Sequence, residues 1–436
     1  MADIDAGGAL DAPRVASSRI DALDALRGLA VLGIFVINII GFGLPEIAFN
    51  NPKAAGGEGA VNFGLWTFTT VFVEGSMRGL FSLMFGAGVV LFTARAAYPD
   101  GAIRIADLFY RRTIWLIVFG LAHAFLLLMP GDILLIYGIA GLLLFPFRIL
   151  SAKKLAALAL AFLAGLTLLS LDEELEETEL GLQAAAIEER ADAGAELSAT
   201  EEKILAEWEE AYGANWPAQE ELEAQIASRT GSPGTVFLSN ANIVAMYSSI
   251  GDLLWWVTDA FMMMLFGMAL YKWRVITAER SLNFYAVMAL IGYGIGLGFR
   301  IWAVASRWEA DFSPMLWAWG AFDQAGRVAM TFGHIGFFFV LWKFAASTLP
   351  MRALTAAGRM ALTNYISQTV IANLVFTGVG LGLYGAVDRI GIYAMMAAIW
   401  LAQLTFSMWW LARFRFGPLE WGWRSLTYWR KQPLRK

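Results

Sequence analysis

The stretch Arg19-Ile-Asp-Ala-Leu-Asp-Ala-Leu-Arg-Gly28 runs directly into an apolar segment from Leu29 to Leu44. It sets Asp24 and Arg27 at the mouth of a membrane span, where ionised groups are costly unless they are paired or functional. Arg27 and Asn38 are eleven positions apart and lie within about 20° of one another on a helix. Asp24 falls near the same face, so a polar stripe enters the bilayer along this helix. A plain hydrophobic anchor needs no such stripe.

The rest of the chain agrees with a membrane setting. Hydrophobic residues make up 58% of it and charged residues only 16%, below the soluble norm of about 25%. Mean hydropathy is +0.58. Trp residues gather where apolar runs end (Trp255-Trp256, Trp273, Trp317, Trp319, Trp409-Trp410, Trp421, Trp423), as an interfacial belt predicts. Cysteine is absent, which excludes disulfides, thiolate nucleophiles and cysteine-bound metals. The first apolar run lacks a small-residue cleavage site and reads as a retained span.

Charge is partitioned along the chain. Residues 172–235 carry 18 acidic and 3 basic residues, so an overall net charge of −5 leaves +10 elsewhere. The surplus basic residues flank spans, where the positive-inside rule accounts for them, and nucleic acid is not expected as a partner.

The fold expected is all-α, a polytopic bundle of about ten spans near 29–44, 78–95, 112–129, 132–148, 154–171, 253–271, 281–305, 321–343, 358–383 and 390–412. Segments 62–76 and 236–252 read as interfacial or re-entrant pieces, with an extra span the alternative for either. The chain thus divides into a cytoplasmic segment (1–28), a first bundle (29–171), an acidic extracytoplasmic insertion (172–235), a second bundle (236–412) and a basic, aromatic cytoplasmic tail (413–436). Arg14, Arg19, Arg95–Arg112, Arg148–Lys154, Lys272–Arg280, Lys343–Arg359 and Arg413–Lys436 fall on one side, giving a multi-pass protein with both termini cytoplasmic. The tail reads as lying along anionic headgroups. Within the insertion, Ser198-Ala-Thr-Glu201 fits a capping box, and Gly213 and Gly231-Ser-Pro-Gly234 read as helix stops. The insertion is either a solvated hairpin or a lid over the outer mouth of a site.

Both histidines lie deep in spans. His123 and His334 each fall about 14–17 Å from the cytoplasmic end, near the midplane, where one site can hold both. Asp323, Arg327, Met330 and His334 form a single helical stripe, with Asp323 and Arg327 spaced to neutralise each other. Arg300, the pair Asn364 and Gln368, and the pair Glu74 and Arg78 add polar positions on other helices. Blander readings stand beside these: interhelical hydrogen bonding for Asn364–Gln368, and structural roles for Asp323–Arg327, Glu74–Arg78 and His123. Glycines at Gly292 and Gly296 read as close helix packing.

A desolvated neutral imidazole suits acyl transfer, as a base or an acyl carrier, with Arg327 or Arg300 holding a developing oxyanion. No metal is expected: His123, His334 and Asp323 offer three ligands without a helical ligand pair.

Four segments resemble the YeiB-like bacterial membrane proteins: the opening motif, Gly120-Leu-Ala-His-Ala124 with Gly131-Asp-Ile-Leu134, Arg359-Met-Ala-Leu-Thr-Asn-Tyr365, and Phe416-Gly-Pro-Leu-Glu-Trp-Gly-Trp-Arg-Ser-Leu-Thr-Tyr428. More distantly, the opening motif is similar to that of transmembrane acyltransferases, including the heparan-α-glucosaminide N-acetyltransferase group. That similarity implies a cytoplasmic acyl-CoA, acetyl-CoA first among them, and an acceptor modified across the membrane, with Arg27 at the donor side. One departure is that those enzymes carry a histidine near the end of an early span, whereas this chain has Asn38 there and its nearest histidine is His123.

The leading expectation is a bacterial inner-membrane acyltransferase. It places donor phosphates near Arg27, Arg111 and Arg112, the acyl group at His123, and a hydroxyl or amine of a small-molecule or glycan acceptor beside Asp132. A proton-coupled transporter or lipid-handling protein using Asp323, Arg327 and His334 is the alternative, and a membrane scaffold the third reading. Membrane lipids and a second copy of the chain are the other expected partners.

Overall fold

A computed structural model describes residues 20–94, 101–246, 249–314 and 319–436. Arg14, Arg19, Arg95 and Trp317 lie outside the described residues.

The described residues form sixteen α-helices: α1 (Asp21–Gly43), α2 (Gly59–Phe72), α3 (Ser76–Thr93), α4 (Gly101–Phe125), α5 (Ile133–Leu144), α6 (Ala152–Asp192), α7 (Ala199–Asn215), α8 (Gln219–Thr230), α9 (Pro233–Met246), α10 (Ile250–Lys272), α11 (Leu282–Glu309), α12 (Trp319–Ala345), α13 (Leu349–Arg359), α14 (Ala361–Phe376), α15 (Arg389–Arg413) and α16 (Pro418–Tyr428). An all-helical membrane protein is what backbone hydrogen bonding in lipid demands, since each span must satisfy its own amides.

Among the described residues, seven helical segments are long and apolar enough to cross a membrane: α1, the α2–α3 pair, α6, α10, α11, α12 and α15. Three expected spans are shorter or divided. Segment 112–129 stops being helical at Phe125, the end of α4, segment 132–148 is twelve-residue α5 followed by a 3-10 turn, and segment 358–383 is cut near Met360. The last break has a chemical cause. The Glu420 carboxylate, from the tail, accepts from the Leu362 and Thr363 amides at 2.7 and 3.1 Å and so caps the start of α14. The amphipathic segment before it, α13, lies against α1.

That contact explains Gly28 of the opening motif and Gly358, which directly precedes the Arg359–Tyr365 segment. A Cβ at Gly28 would collide with the Leu354 carbonyl, and one at Gly358 with the Asp24 carbonyl. The backbones of α1 and α13 therefore touch, which brings Arg27 and Arg359 to one place. Gly292 and Gly296 likewise meet Gly333 and Met330 on α12.

Segment 62–76 is no separate surface piece. It forms α2 and the break before α3, at Gly75 with φ +66°. A Cβ there would strike the Arg327 side chain.

The insertion is helical, with the Ser198–Glu201 capping box formed. It starts without interruption, because α6 runs 41 residues through position 172 and is about 60 Å long. It is docked rather than free: Asn51 donates to the Asn215 carbonyl at 2.8 Å, Trp216 to the Asp311 carbonyl at 3.1 Å, and the Gly378 amide to the Arg229 carbonyl at 3.0 Å. One end of the bundle therefore carries the insertion, and the other carries α13 and α16.

Candidate functional site

Two chambers enter the bundle. The insertion-end cavity has a volume of about 1040 Å³ and is walled by α1, α3, α5, α6, α10 and α12, with the insertion over it. Asn38, Asp132, Arg300, Asp323 and Arg327 all line it, as do Arg78 and Asp259. The tail-end pocket is about 270 Å³ and has Asp24, Arg27, Arg112, Arg359 and Arg424 among its lining residues. Phe81, Met84, Phe85 and Leu116 form an apolar part of its wall, and Glu420, Thr113 and Tyr365 also line it. The α1 stripe thus faces inward along its length, serving one chamber with Asp24 and Arg27 and the other with Asn38.

Tyr137 lines both chambers. Its hydroxyl lies 2.6 Å from Ser82 Oγ and donates to the Arg78 carbonyl at 3.2 Å, so a hydrogen-bonded tyrosine stands where they meet. Beside it, Asp132 caps α5 by accepting from the Leu135 amide at 2.9 Å. The other Asp132 oxygen is 2.6 Å from His123 Nδ1 and accepts from the Tyr365 hydroxyl at 3.4 Å. Tyr365 lines the tail-end pocket and Asp132 the insertion-end cavity, so this cluster joins the two walls.

His123 itself is fully buried behind Asp132 and lines neither chamber. Its Nδ1 faces the carboxylate and its Nε2 lies 2.8 Å from the Thr369 hydroxyl. The ring is therefore oriented on both sides, with no nitrogen left for an acceptor. His334 also lines neither chamber. Its Nε2 donates to the Phe72 carbonyl at 2.7 Å and its Nδ1 lies 3.0 Å from the Tyr293 hydroxyl. Phe72 precedes the α2–α3 break, so His334, together with the Ser76 hydroxyl at 2.8 Å, satisfies a carbonyl that the break leaves without a backbone partner. The two rings share no partner, and the expected two-histidine centre is replaced by two separate structural environments.

The expected Asp323–Arg327 pair is also corrected. Asp323 meets Arg300 at 2.5 Å, while Arg327 pairs with Asp259. Helix α12 packs against α11, and the two side chains reach partners on different helices, Asp323 on α11 and Arg327 on α10. Glu74 and Arg78 divide in the same way, toward Arg300 at 3.8 Å and Asp259 at 3.4 Å. Asn364 donates to Ser407 at 3.1 Å and Gln368 to Gln403 at 3.1 Å, binding α14 to α15 outside both chambers. Arg111 pairs with Asp107 at 2.7 Å and lies over Trp429, away from the tail-end pocket.

Asp259, Tyr137, Tyr365, Thr369, Arg424 and Glu420 were not anticipated as site residues. A lone carboxylate in the apolar run 253–271 is a legible signal for Asp259. The tyrosines offer none, because membrane tyrosines are common. Burial pushes the Glu420 carboxyl above its usual range, while bonds from Thr363 and Leu362 oppose the shift. Burial lowers the neighbouring Arg424, and Tyr428 and Glu420 oppose that change.

Fold and chambers together define a polytopic helical membrane protein with two polar-lined chambers in its bundle. The chain belongs to the YeiB-like family. Residues 270–430 match the family described as "Protein of unknown function (DUF418)". The chain is 31% identical to "Uncharacterized protein YeiB" of Escherichia coli (strain K12), over 93% of this chain and 95% of that one. It is 27% identical to "Uncharacterized protein YxaH" of Bacillus subtilis (strain 168), over 97% and 98%. No solved structure matches.

Proposed function

We propose that the protein is a bacterial inner-membrane acyltransferase that passes an acyl group from a cytoplasmic acyl-CoA to an acceptor on the other side. The observation that carries this reading is the common wall of the two chambers at Tyr137, beside the Asp132–His123–Tyr365 cluster.

In this reading both termini are cytoplasmic and the tail-end pocket takes the donor. Arg27, Arg112 and Arg424 hold its phosphates, and the apolar wall of Phe81, Phe85 and Leu116 receives the pantetheine and acyl chain. A small-molecule or glycan acceptor occupies the insertion-end cavity. Its hydroxyl or amine attacks the thioester carbonyl, the new C–O or C–N bond forms, the C–S bond breaks, and the thiol leaves on the donor side. Asp132 is the group placed to take the acceptor's proton. His123 is a positioning residue that orients Asp132, which revises its expected role as base or acyl carrier.

The test is thioester consumption by the reconstituted protein, with binding of acetyl-CoA followed by calorimetry. Arg27→Gln, Arg112→Gln and Arg424→Gln raise the KM for donor, and Asp132→Asn lowers kcat. Absence of acyl-CoA binding overturns the reading.

A proton-coupled transporter is the second reading, and the α2–α3 break favours it. Discontinuous helices flank substrate sites in transporters, and Glu74 and Gly75 at this break line the insertion-end cavity. Solute uptake driven by a proton gradient, without thioester consumption, selects it.

A further inference from the structure

Five residues of α16, Glu420, Trp423, Arg424, Thr427 and Tyr428, line the tail-end pocket. Their spacing of i, i+3, i+4, i+7 and i+8 is one helical face, so α16 forms one wall of the pocket along its length. The helix meets the bundle on both flanks of the pocket. The Glu420 carboxylate accepts from the Leu362 and Thr363 amides and, at 2.6 Å, from the Thr363 hydroxyl. The Trp423 indole donates to the Arg112 carbonyl at 2.9 Å.

Charge in this pocket is unevenly matched. Among the described residues its lining holds four guanidiniums, Arg27, Arg112, Arg359 and Arg424, against two carboxylates, Asp24 and Glu420. Both carboxylates are engaged, Asp24 by Arg27 at 2.7 Å and Glu420 by the start of α14. No carboxylate among the described residues lies within ion-pair distance of Arg112, Arg359 or Arg424. Asp24 and Glu420 act on Arg424 at longer range, and Arg27 opposes them. Arg112 meets the rings of Trp423 and Phe92, at 4.3 and 5.5 Å, and feels Arg424 and Arg27 as like charges. Docking of α16 thus brings one guanidinium toward another, and their repulsion works against the closed position.

An anion between two guanidiniums on different segments turns that repulsion into attraction. A phosphate suits the place, because its several oxygens accept from two planar forks at once, whereas one fork fills a carboxylate.

We infer that α16 is a ligand-dependent lid: a phosphate group bridges Arg112 on α4 to Arg424 on α16 and holds the tail against the pocket. The inference rests on reading this pocket as the donor chamber, and adds that donor binding and tail docking strengthen each other.

The reporters are the Leu362 and Thr363 amides, which Glu420 covers while α16 is docked. Their hydrogen exchange is followed by mass spectrometry with no thioester present, so the outcome is independent of transfer. Protein in phosphatidylcholine nanodiscs is measured with pyrophosphate, with coenzyme A, and with chloride at matched ionic strength. A further sample in phosphatidylglycerol nanodiscs receives no added anion. Exchange about tenfold or more slower with pyrophosphate or coenzyme A than with chloride is expected, and assigns the phosphate to a soluble ligand. Slowing in phosphatidylglycerol alone supports the bridge and assigns it to a lipid headgroup. Slowing by pyrophosphate but not by coenzyme A keeps the lid and removes the acyl-CoA reading. Arg424→Gln removes the repulsion together with the bridge, so protection without anion is kept or increased and the response to anion is lost. Where that variant fails to fold, Arg112→Gln is expected to lose the same response. Thioester consumption with exchange unchanged by every anion overturns the lid alone, as does an anion response that persists in Arg424→Gln and Arg112→Gln.

Discussion

His123 Nδ1 lies 2.6 Å from the Asp132 carboxylate across the turn that joins α4 to α5. The nine-residue spacing places a buried ring directly behind the one carboxylate that caps α5 and faces the larger cavity. His123→Ala removes the ring but leaves the carboxylate its bonds from the Leu135 amide and the Tyr365 hydroxyl, and is expected to cost about 1–3 kcal/mol of stability. Asp132→Asn keeps an oxygen for the Leu135 amide and is expected to cost about 1 kcal/mol or less. Its loss in transfer rate is expected at about 10²-fold or more. Denaturation in detergent and single-turnover rates separate the two effects; equal stability loss in both variants would contradict the assignment.

The chain has no cysteine, so an introduced thiol reports alone. Asn38→Cys lines the insertion-end cavity and Phe85→Cys the tail-end pocket. A membrane-impermeant maleimide is expected to label each thiol from its own side only. Adding Tyr137→Ala removes the shared wall and should make both thiols reactive from both sides. Labelling of Phe85→Cys from the insertion side with Tyr137 intact would refute the partition.

Gly358→Ala sets a methyl group against the Asp24 carbonyl, and the α1–α13 contact must open. A loss of about 1–3 kcal/mol is expected, with weaker donor binding because Arg27 and Arg359 separate. Gly294→Ala meets nothing within 4 Å and is expected to be neutral or to stabilise by up to about 1 kcal/mol. Thermal melts of the pair isolate the backbone contact from helix propensity.

Glu420 links tail docking to pH. Its folded carboxyl is raised from 4.5, so the folded state holds a proton that the unfolded chain releases first. That contribution to stability is complete below pH 4.5 and is lost as pH rises through the raised folded value. Glu420→Gln cannot titrate and is expected to flatten this part of the stability–pH curve. An unchanged curve would show that Glu420 does not titrate in this window.

The helices and their inward faces were legible in the primary structure because lipid leaves few choices. Apolar length specifies α1, α10, α11 and α12, and the acidic block marks 172–235. Asp24, Arg27 and Asn38 were readable as one stripe because helical periodicity is local. Their division between two chambers was not, since it depends on where α5 and its Tyr137 come to rest. Arg327 illustrates the same limit. Spacing pairs it with Asp323 along one helix, but Asp259 lies 68 residues away in the chain and on a different helix. The role of Glu420 is equally remote, because α14 precedes its own capping carboxylate by 58 residues.

Composition and period thus determine that the chain is helical, crosses the bilayer, and carries polar side chains on its inward faces. All three are properties of one helix in contact with lipid or water. Packing alone decides which guanidinium meets which carboxylate, and that the histidines serve separate neighbourhoods. Those outcomes depend on interhelical distances that no local periodicity encodes.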